Sequence, residues 1–212
     1  MPIVFRKSVA KDIELSIWRI EESAAQLYGK LQLDERERAV FDSFRNQHKR
    51  SLHWLGSRVL LRTLLNTDKY INLKIDEYRK PFLANLPHQV SISHSYDFAA
   101  VMVSLNGPVG VDIEQINSKI EKIAARFLLP EELEFIDPQA RLNHLYACWS
   151  VKEAIYKWYG KGGLAFFGGI ILEPFSPGPE GRVMARVLLE GHWKKMEAHY
   201  REFEGYMVAW CY

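Results

Sequence analysis

Apolar residues at Ile13, Leu15 and Ile17 alternate with polar ones in IELSIWRI, the pattern of a strand with one buried face. The apolar spacing then lengthens to three and four, which predicts helices near residues 21–28, 34–44 and 47–65. In the last of these, Leu52, Leu55, Val59 and Leu60 form a stripe suited to face a core. Past Asn66 the texture breaks into short runs interrupted by proline: YRKPFLANLP, QVSISHS, DFAAVMVSL and GPVGVDIEQ. These read as strands of one antiparallel sheet, with Asn106-Gly107 turning a hairpin between the last two because both residues tolerate positive φ. Helical spacing returns near Ile120, breaks at Pro130 and Pro138, and resumes from about Leu142 to Tyr159, where Gly160, Gly162 and Gly163 end it. Strands follow in GGIILEPF, RVMARVLLE and GYMVAWCY. Helices precede strands twice, and DFAAVMVSL resembles GYMVAWCY as an apolar terminal strand. An α+β chain of two similar halves, 1–105 and 106–212, is therefore expected.

Composition narrows the class without changing that outline. With 212 residues, 48% apolar and 25% charged, the chain can bury a sizeable core as one large domain or two small ones. Its formal net charge is only +2, so attraction for anions has to come from local clusters, and a nucleic-acid partner is not expected. One cluster runs through Arg36, Arg38, Arg45, Lys49, Arg50, Arg58 and Arg62, with His48 and His53 among them. Asp34, Glu35, Glu37 and Asp42 lie alongside, so a solvated, charge-balanced helix face is the default reading. Cys148 and Cys211 form no metal-binding or paired motif, as in a reduced cytoplasmic protein. The amino terminus lacks the apolar run of a signal peptide, and no stretch of roughly 18 apolar residues suggests a membrane span.

Candidate chemistry sits in two segments. Gly110-Val111-Asp112-Ile113-Glu114 puts two carboxylates two residues apart, on one face of a predicted strand, with Val111 and Ile113 on the other. Alone, this is more often a solvent-facing strand edge than a metal site. Trp149-Ser150-Val151-Lys152-Glu153-Ala154-Ile155-Tyr156-Lys157 puts Glu153 and Lys157 four apart on a helix, which by itself describes a surface ion pair. Together the segments offer three carboxylates and a lysine. That is the chemistry of a magnesium ion shared between carboxylates and substrate phosphate oxygens, with an ammonium nearby for phosphate charge.

GVDIE followed 41 residues after its aspartate by the glutamate of WSVKEAIYK closely resembles the signature of the 4'-phosphopantetheinyl transferase superfamily. The length and two-half pattern are similar to its larger, monomeric branch, the surfactin-synthetase-activating type. RSLHWLGSRVLLR, KPFL and SISHS resemble further family motifs in the same order, so the resemblance covers roughly residues 34–163. Arg79 departs from it, standing where many relatives have glycine. The resemblance implies the 4'-phosphopantetheinyl transferase fold, two similar α+β halves related by a pseudo-two-fold axis, with coenzyme A held between them. It implies transfer of the phosphopantetheine arm of coenzyme A to a serine of an acyl or peptidyl carrier protein. Asp112 would bind magnesium, with Glu114 and Glu153 completing or supporting the site, and Glu153 would serve as general base. Lys157 would stabilise the pyrophosphate, Ser93 and His94 would hold a coenzyme phosphate, and Arg58 and Lys80 would contact the 3'-phosphate and adenine end. Arg36, Arg38, Arg45 and Arg50 are further candidate phosphate contacts, and the stretch from Lys157 to Phe167, including Lys161, is a candidate carrier landing strip. Two rivals carry different consequences. A metal-dependent nuclease or phosphoesterase would release product without a carrier, but neither Glu114 nor Glu153 has a lysine two residues on. A carrier or coenzyme A binding module without activity would have little need for Asp112, Glu114, Glu153 and Lys157 together.

Overall fold

The computed structural model of the chain describes residues 3–44 and 47–212; Arg45, one of the candidate phosphate contacts, lies outside the described residues. The chain is α+β and divides into two compact units. One contains the chain up to Asp76 together with Pro81–Gly107, and the other contains Glu77–Lys80 and Pro108–Tyr212.

The first unit begins with β1 (Ile3–Ala10) and β2 (Ile13–Arg19), then α1 (Ala24–Tyr28), α2 (Glu35–Asp42) and α3 (His48–Leu65). Ser23 with Gln26, and Asp34 with Glu37, form reciprocal capping boxes that start α1 and α2. A short ladder, β3 (Leu73–Ile75) with β4 (Pro81–Leu83), precedes β5 (Gln89–Ser95) and β6 (Phe98–Ser104). The main sheet runs β1-β2-β6-β5, and α3 packs across β6, β2 and β5. Leu55, Val59 and Leu60 of the expected stripe meet Trp18, Val90, Ala99, Val101 and Val103 there, with Leu52 only partly buried. β2 is buried on both faces rather than one, because Ser16 and Trp18 are as enclosed as Leu15 and Ile17.

The second unit opens with β7 (Gly110–Gln115), a 3-10 segment (Ser118–Arg126) and α4 (Pro130–Glu134). Then come α5 (Arg141–Tyr159), the short α6 (Phe166–Gly169) and strands β8 (Ile170–Leu172), β9 (Glu180–Leu189), β10 (His192–Phe203) and β11 (Tyr206–Cys211). They form a five-stranded antiparallel sheet ordered β7-β11-β10-β9-β8, with α5 laid across β7, β11 and β10.

The single sheet expected after Asn66 is therefore not what forms. β5 and β6 belong to the first sheet, β7 to the second, and no hairpin joins β6 to β7 at Asn106-Gly107. β6 is flanked on both edges by β2 and β5 and has no ladder left for β7, which takes β11 as its neighbour instead. The tight turn lies between β5 and β6 instead, at Tyr96 in the left-handed region. Three strands, β1, β3 and β10, escaped the sequence pattern. In β1 and β10 charged residues interrupt the apolar alternation, yet β10 pairs with a strand on each side.

Candidate active site

β7 is the edge strand of its sheet, and its start is shaped by the helix above it. A side chain at Gly110 would overlap the Ala154 carbonyl oxygen, so only glycine lets the α5 backbone settle onto β7 at this point. Val111 and Ile113 are fully buried. Asp112 is also buried, at 2% exposure, and Glu114 is partly buried, so this carboxylate pair is not a solvent-facing strand decoration.

α5 brings the remaining groups. The Lys157 ammonium reaches across to the strand and donates to Asp112 Oδ1 at 2.7 Å. Burial first, and the Asp112 carboxylate second, push Glu153 up to about 7, against the opposite pull of Lys157. A carboxyl held there is half ionised near neutral pH, which suits a general base. Lys152, the neighbour of Glu153, has no exposed surface. Its ammonium donates to Glu132 Oε2 at 2.8 Å and to the Phe127 carbonyl at 2.7 Å. Glu132 in turn accepts from the backbone N–H groups of Leu129 and Leu172, tying α4 and β8 to the helix that bears Glu153. Nothing in the sequence distinguished this lysine from Lys157 except its place before the glutamate.

The donor set fits magnesium in kind: hard carboxylate oxygens, two of them on one strand face and a third electrostatically coupled to Asp112. Among the described residues no three His, Cys, Asp or Glu are gathered closely enough to hold a metal by themselves. Asp112, Glu114 and Glu153 therefore form no preassembled three-carboxylate cage, and the Lys157 ammonium sits on Asp112. Magnesium characteristically draws only one or two carboxylates from the protein and takes substrate phosphate and water for the rest.

Lys80 also belongs to this unit. Its ammonium donates to the backbone carbonyls of Lys157 at 2.7 Å and Trp158 at 2.8 Å, in the last turn of α5. Arg79 before it has φ of 66°, the left-handed conformation that glycine adopts most easily, which accounts physically for the glycine expected at this position.

The first unit holds the other candidates. Arg58 lies over the Trp54 ring, 3.5 Å from its centroid, and donates to Glu37 Oε1 at 3.4 Å. Burial lowers it to about 10, partly offset by Glu37. Glu37 also accepts from the Tyr70 hydroxyl, which reaches Asp34 as well, so Arg58 is embedded in a polar network inside the unit. Ser93 and His94 lie on β5, Ser93 buried and His94 exposed. The His94 ring stacks on His53 of α3 with centroids 4.4 Å apart, and His53 Nε2 lies 2.6 Å from the Tyr96 carbonyl oxygen. Lys49 rests over the Tyr96 ring at 4.8 Å. Arg38 donates to the Leu33 carbonyl, and Arg50 lies over Phe44, while Arg36 is exposed on α2.

An α+β chain whose edge-strand aspartate meets a lysine and a glutamate of the crossing helix has the parts of a metal-assisted phosphate-transfer site. Comparison with known proteins gives that class a family. Residues 108–211 match the family model of the 4'-phosphopantetheinyl transferase superfamily (ACPS). A 4'-phosphopantetheinyl transferase of Bacillus subtilis is 35% identical over 96 residues, 43% of this chain and 42% of its own length. The 4'-phosphopantetheinyl transferase gsp of Aneurinibacillus migulanus is 32% identical over 108 residues, 50% and 45% respectively. The 4'-phosphopantetheinyl transferase ffp of Bacillus subtilis is 30% identical over 176 residues, 77% of this chain and 75% of its own length. The chain spans less than half the length of the first two of these relatives. It belongs to the 4'-phosphopantetheinyl transferase superfamily.

Proposed function

We propose that this protein transfers the 4'-phosphopantetheine arm of coenzyme A to a serine of an acyl or peptidyl carrier protein, releasing 3',5'-adenosine diphosphate. We place the reaction in the cytoplasm, on a monomer. The observation that carries this reading is the meeting of Asp112 and Lys157 at 2.7 Å beside a Glu153 carboxyl pushed up to about 7.

Asp112 would hold magnesium, with Glu114 and Glu153 completing or supporting the site. When bound, the ion supplies neutralisation of the pyrophosphate and orientation of the phosphorus under attack. Glu153 takes the proton of the carrier serine hydroxyl as its oxygen bonds to the β-phosphorus, the one that bears the pantetheine. The bond from that phosphorus to the bridging oxygen breaks, and the electron pair leaves with 3',5'-adenosine diphosphate. Lys157 is placed to exchange part of its hold on Asp112 for the charge that develops on the leaving phosphate. Ser93 and His94 hold a coenzyme phosphate, and Arg58 supports the nucleotide end through the helix that carries it. The nucleophile belongs to the partner, so the site needs no serine or cysteine of its own.

The test is release of 3',5'-adenosine diphosphate from coenzyme A in the presence of an apo carrier or of the same carrier with its acceptor serine changed to alanine. Release with the first and none with the second is expected. Equal release with both, or release with no carrier, would indicate hydrolysis and reject transfer.

A further inference from the structure

The last turn of an α-helix leaves backbone carbonyls without intrahelical donors, and the helix dipole makes that end negative. In α5 this end directly follows Lys157, so how it is capped bears on where the Lys157 ammonium sits. Gly160 supplies part of the cap: its φ is 58°, and its N–H donates to the Tyr156 carbonyl at 3.0 Å. The carbonyls of Lys157 and Trp158 are taken by the Lys80 ammonium. The Lys80 stem runs flat against Gly160, where any added side chain would overlap its Cδ. Two residues further, a side chain at Gly162 would come within 3.0 Å of the Tyr78 ring. Tyr78, Arg79 and Lys80 thus lie along the glycines that end α5, with Arg79 held in the left-handed conformation.

We propose that Lys80 is a positioning residue for transfer, clamping the end of α5 so that Lys157 stays on Asp112, rather than a contact to the 3'-phosphate of coenzyme A. This rests on the transfer reading above. Two of the directions in which its ammonium donates point into the helix end, where its charge is matched by the carbonyl dipoles. The same geometry explains why glycine is needed at Gly160 twice over, for its φ and for the lysine stem across it.

The experiment compares wild type with Lys80→Met, which keeps an unbranched stem and loses the charge, and Lys80→Arg, which restores it. Turnover and KM are measured for coenzyme A and for 3'-dephospho-coenzyme A, and hydrogen exchange is followed across residues 155–163. In Lys80→Met the helix end should exchange faster, and kcat should fall about ten- to a hundredfold, the scale of a small misplacement of a catalytic group. KM for coenzyme A should stay within about twofold, because binding before the reaction is untouched. The preference for coenzyme A over its dephospho form should be unchanged, Lys80→Arg should recover part of kcat, and Lys80→Met should add little to Lys157→Ala. A raised KM with loss of that preference, at unchanged kcat, would make Lys80 a nucleotide contact and overturn the proposal. Unchanged exchange in Lys80→Met overturns the clamp whether or not the wild type transfers anything. Faster exchange alongside an inactive wild type would leave the clamp standing and reject the transfer reading alone.

Discussion

At the scale of single residues, the decisive feature is which partner each charge chooses. Helical spacing places Glu153 and Lys157 on one face but says nothing of the strand opposite, so the 2.7 Å pair between Lys157 and Asp112 was not legible before the fold was known. The residue types were legible through the joined motifs GVDIE and WSVKEAIYK, because either segment alone fits ordinary surface chemistry. Glu153→Gln is expected to leave the melting temperature close to wild type and lower turnover about a hundredfold or more, the loss typical of removing an acid-base group. Steady-state assays paired with a thermal melt check this. Lys152 should behave oppositely. Lys152→Met leaves Glu132 as a buried carboxylate without its cation, which should cost about 3–5 kcal/mol of stability. Chemical denaturation measures that loss, and pairing the change with Glu132→Gln should recover part of it. A Lys152→Met protein as stable as wild type would mean that the pair is not what ties α4 and β8 to α5.

At the scale of elements, α5 and β7 were read nearly to their observed bounds because their spacing and glycines are explicit. β10 was invisible because Lys195, Glu197 and Arg201 lie on one face and Lys194 on the face of Ala198 and Tyr200, diluting the alternation that those two buried residues maintain. The Asn106-Gly107 signal misled for a related reason. Turn residues report local backbone freedom, whereas strand pairing is decided by which distant edges compete for the ladder. α5 also carries a pH dependence. His144 is fully buried, accepts from the Asp137 N–H at Nδ1, and faces Phe135 and Phe175. Burial lowers its pKa, with Asp137 pulling the other way. The neutral ring is thus favoured in the fold, and this contribution is complete above the unfolded value of about 6.5 and is lost as pH falls below it. Urea unfolding between pH 7.5 and 5 should show falling stability, with a shallower slope in His144→Gln. An identical slope would remove His144 as the source.

At the scale of the whole molecule, both units are α+β, as the order of helices and strands implied, although the division of strands between sheets was not legible. Among the described residues no helix is long and apolar enough to cross a membrane. On the proposed function, the net charge of +2 would leave carrier recognition to local features. Around the end of α5, Lys161 is exposed, Tyr156 and Phe167 are 41% and 47% exposed, and Phe166 packs on Trp149 and Tyr156. Such a strip joins apolar surface to a cation and, on the proposed transfer reading, would suit an acidic carrier. Lys161→Glu is expected to raise KM for the carrier about three- to tenfold with kcat at saturation retained, since a rim charge governs encounter more than chemistry. An unchanged KM would place docking elsewhere. The account as a whole is tested most directly by intact-mass spectrometry of an apo carrier incubated with this protein, coenzyme A and magnesium, with and without a chelator. It predicts that the carrier gains the mass of one phosphopantetheine arm on its acceptor serine and that the chelator abolishes the gain. A carrier that gains nothing across several carrier types, or gains equally with all divalent metal removed, would contradict it.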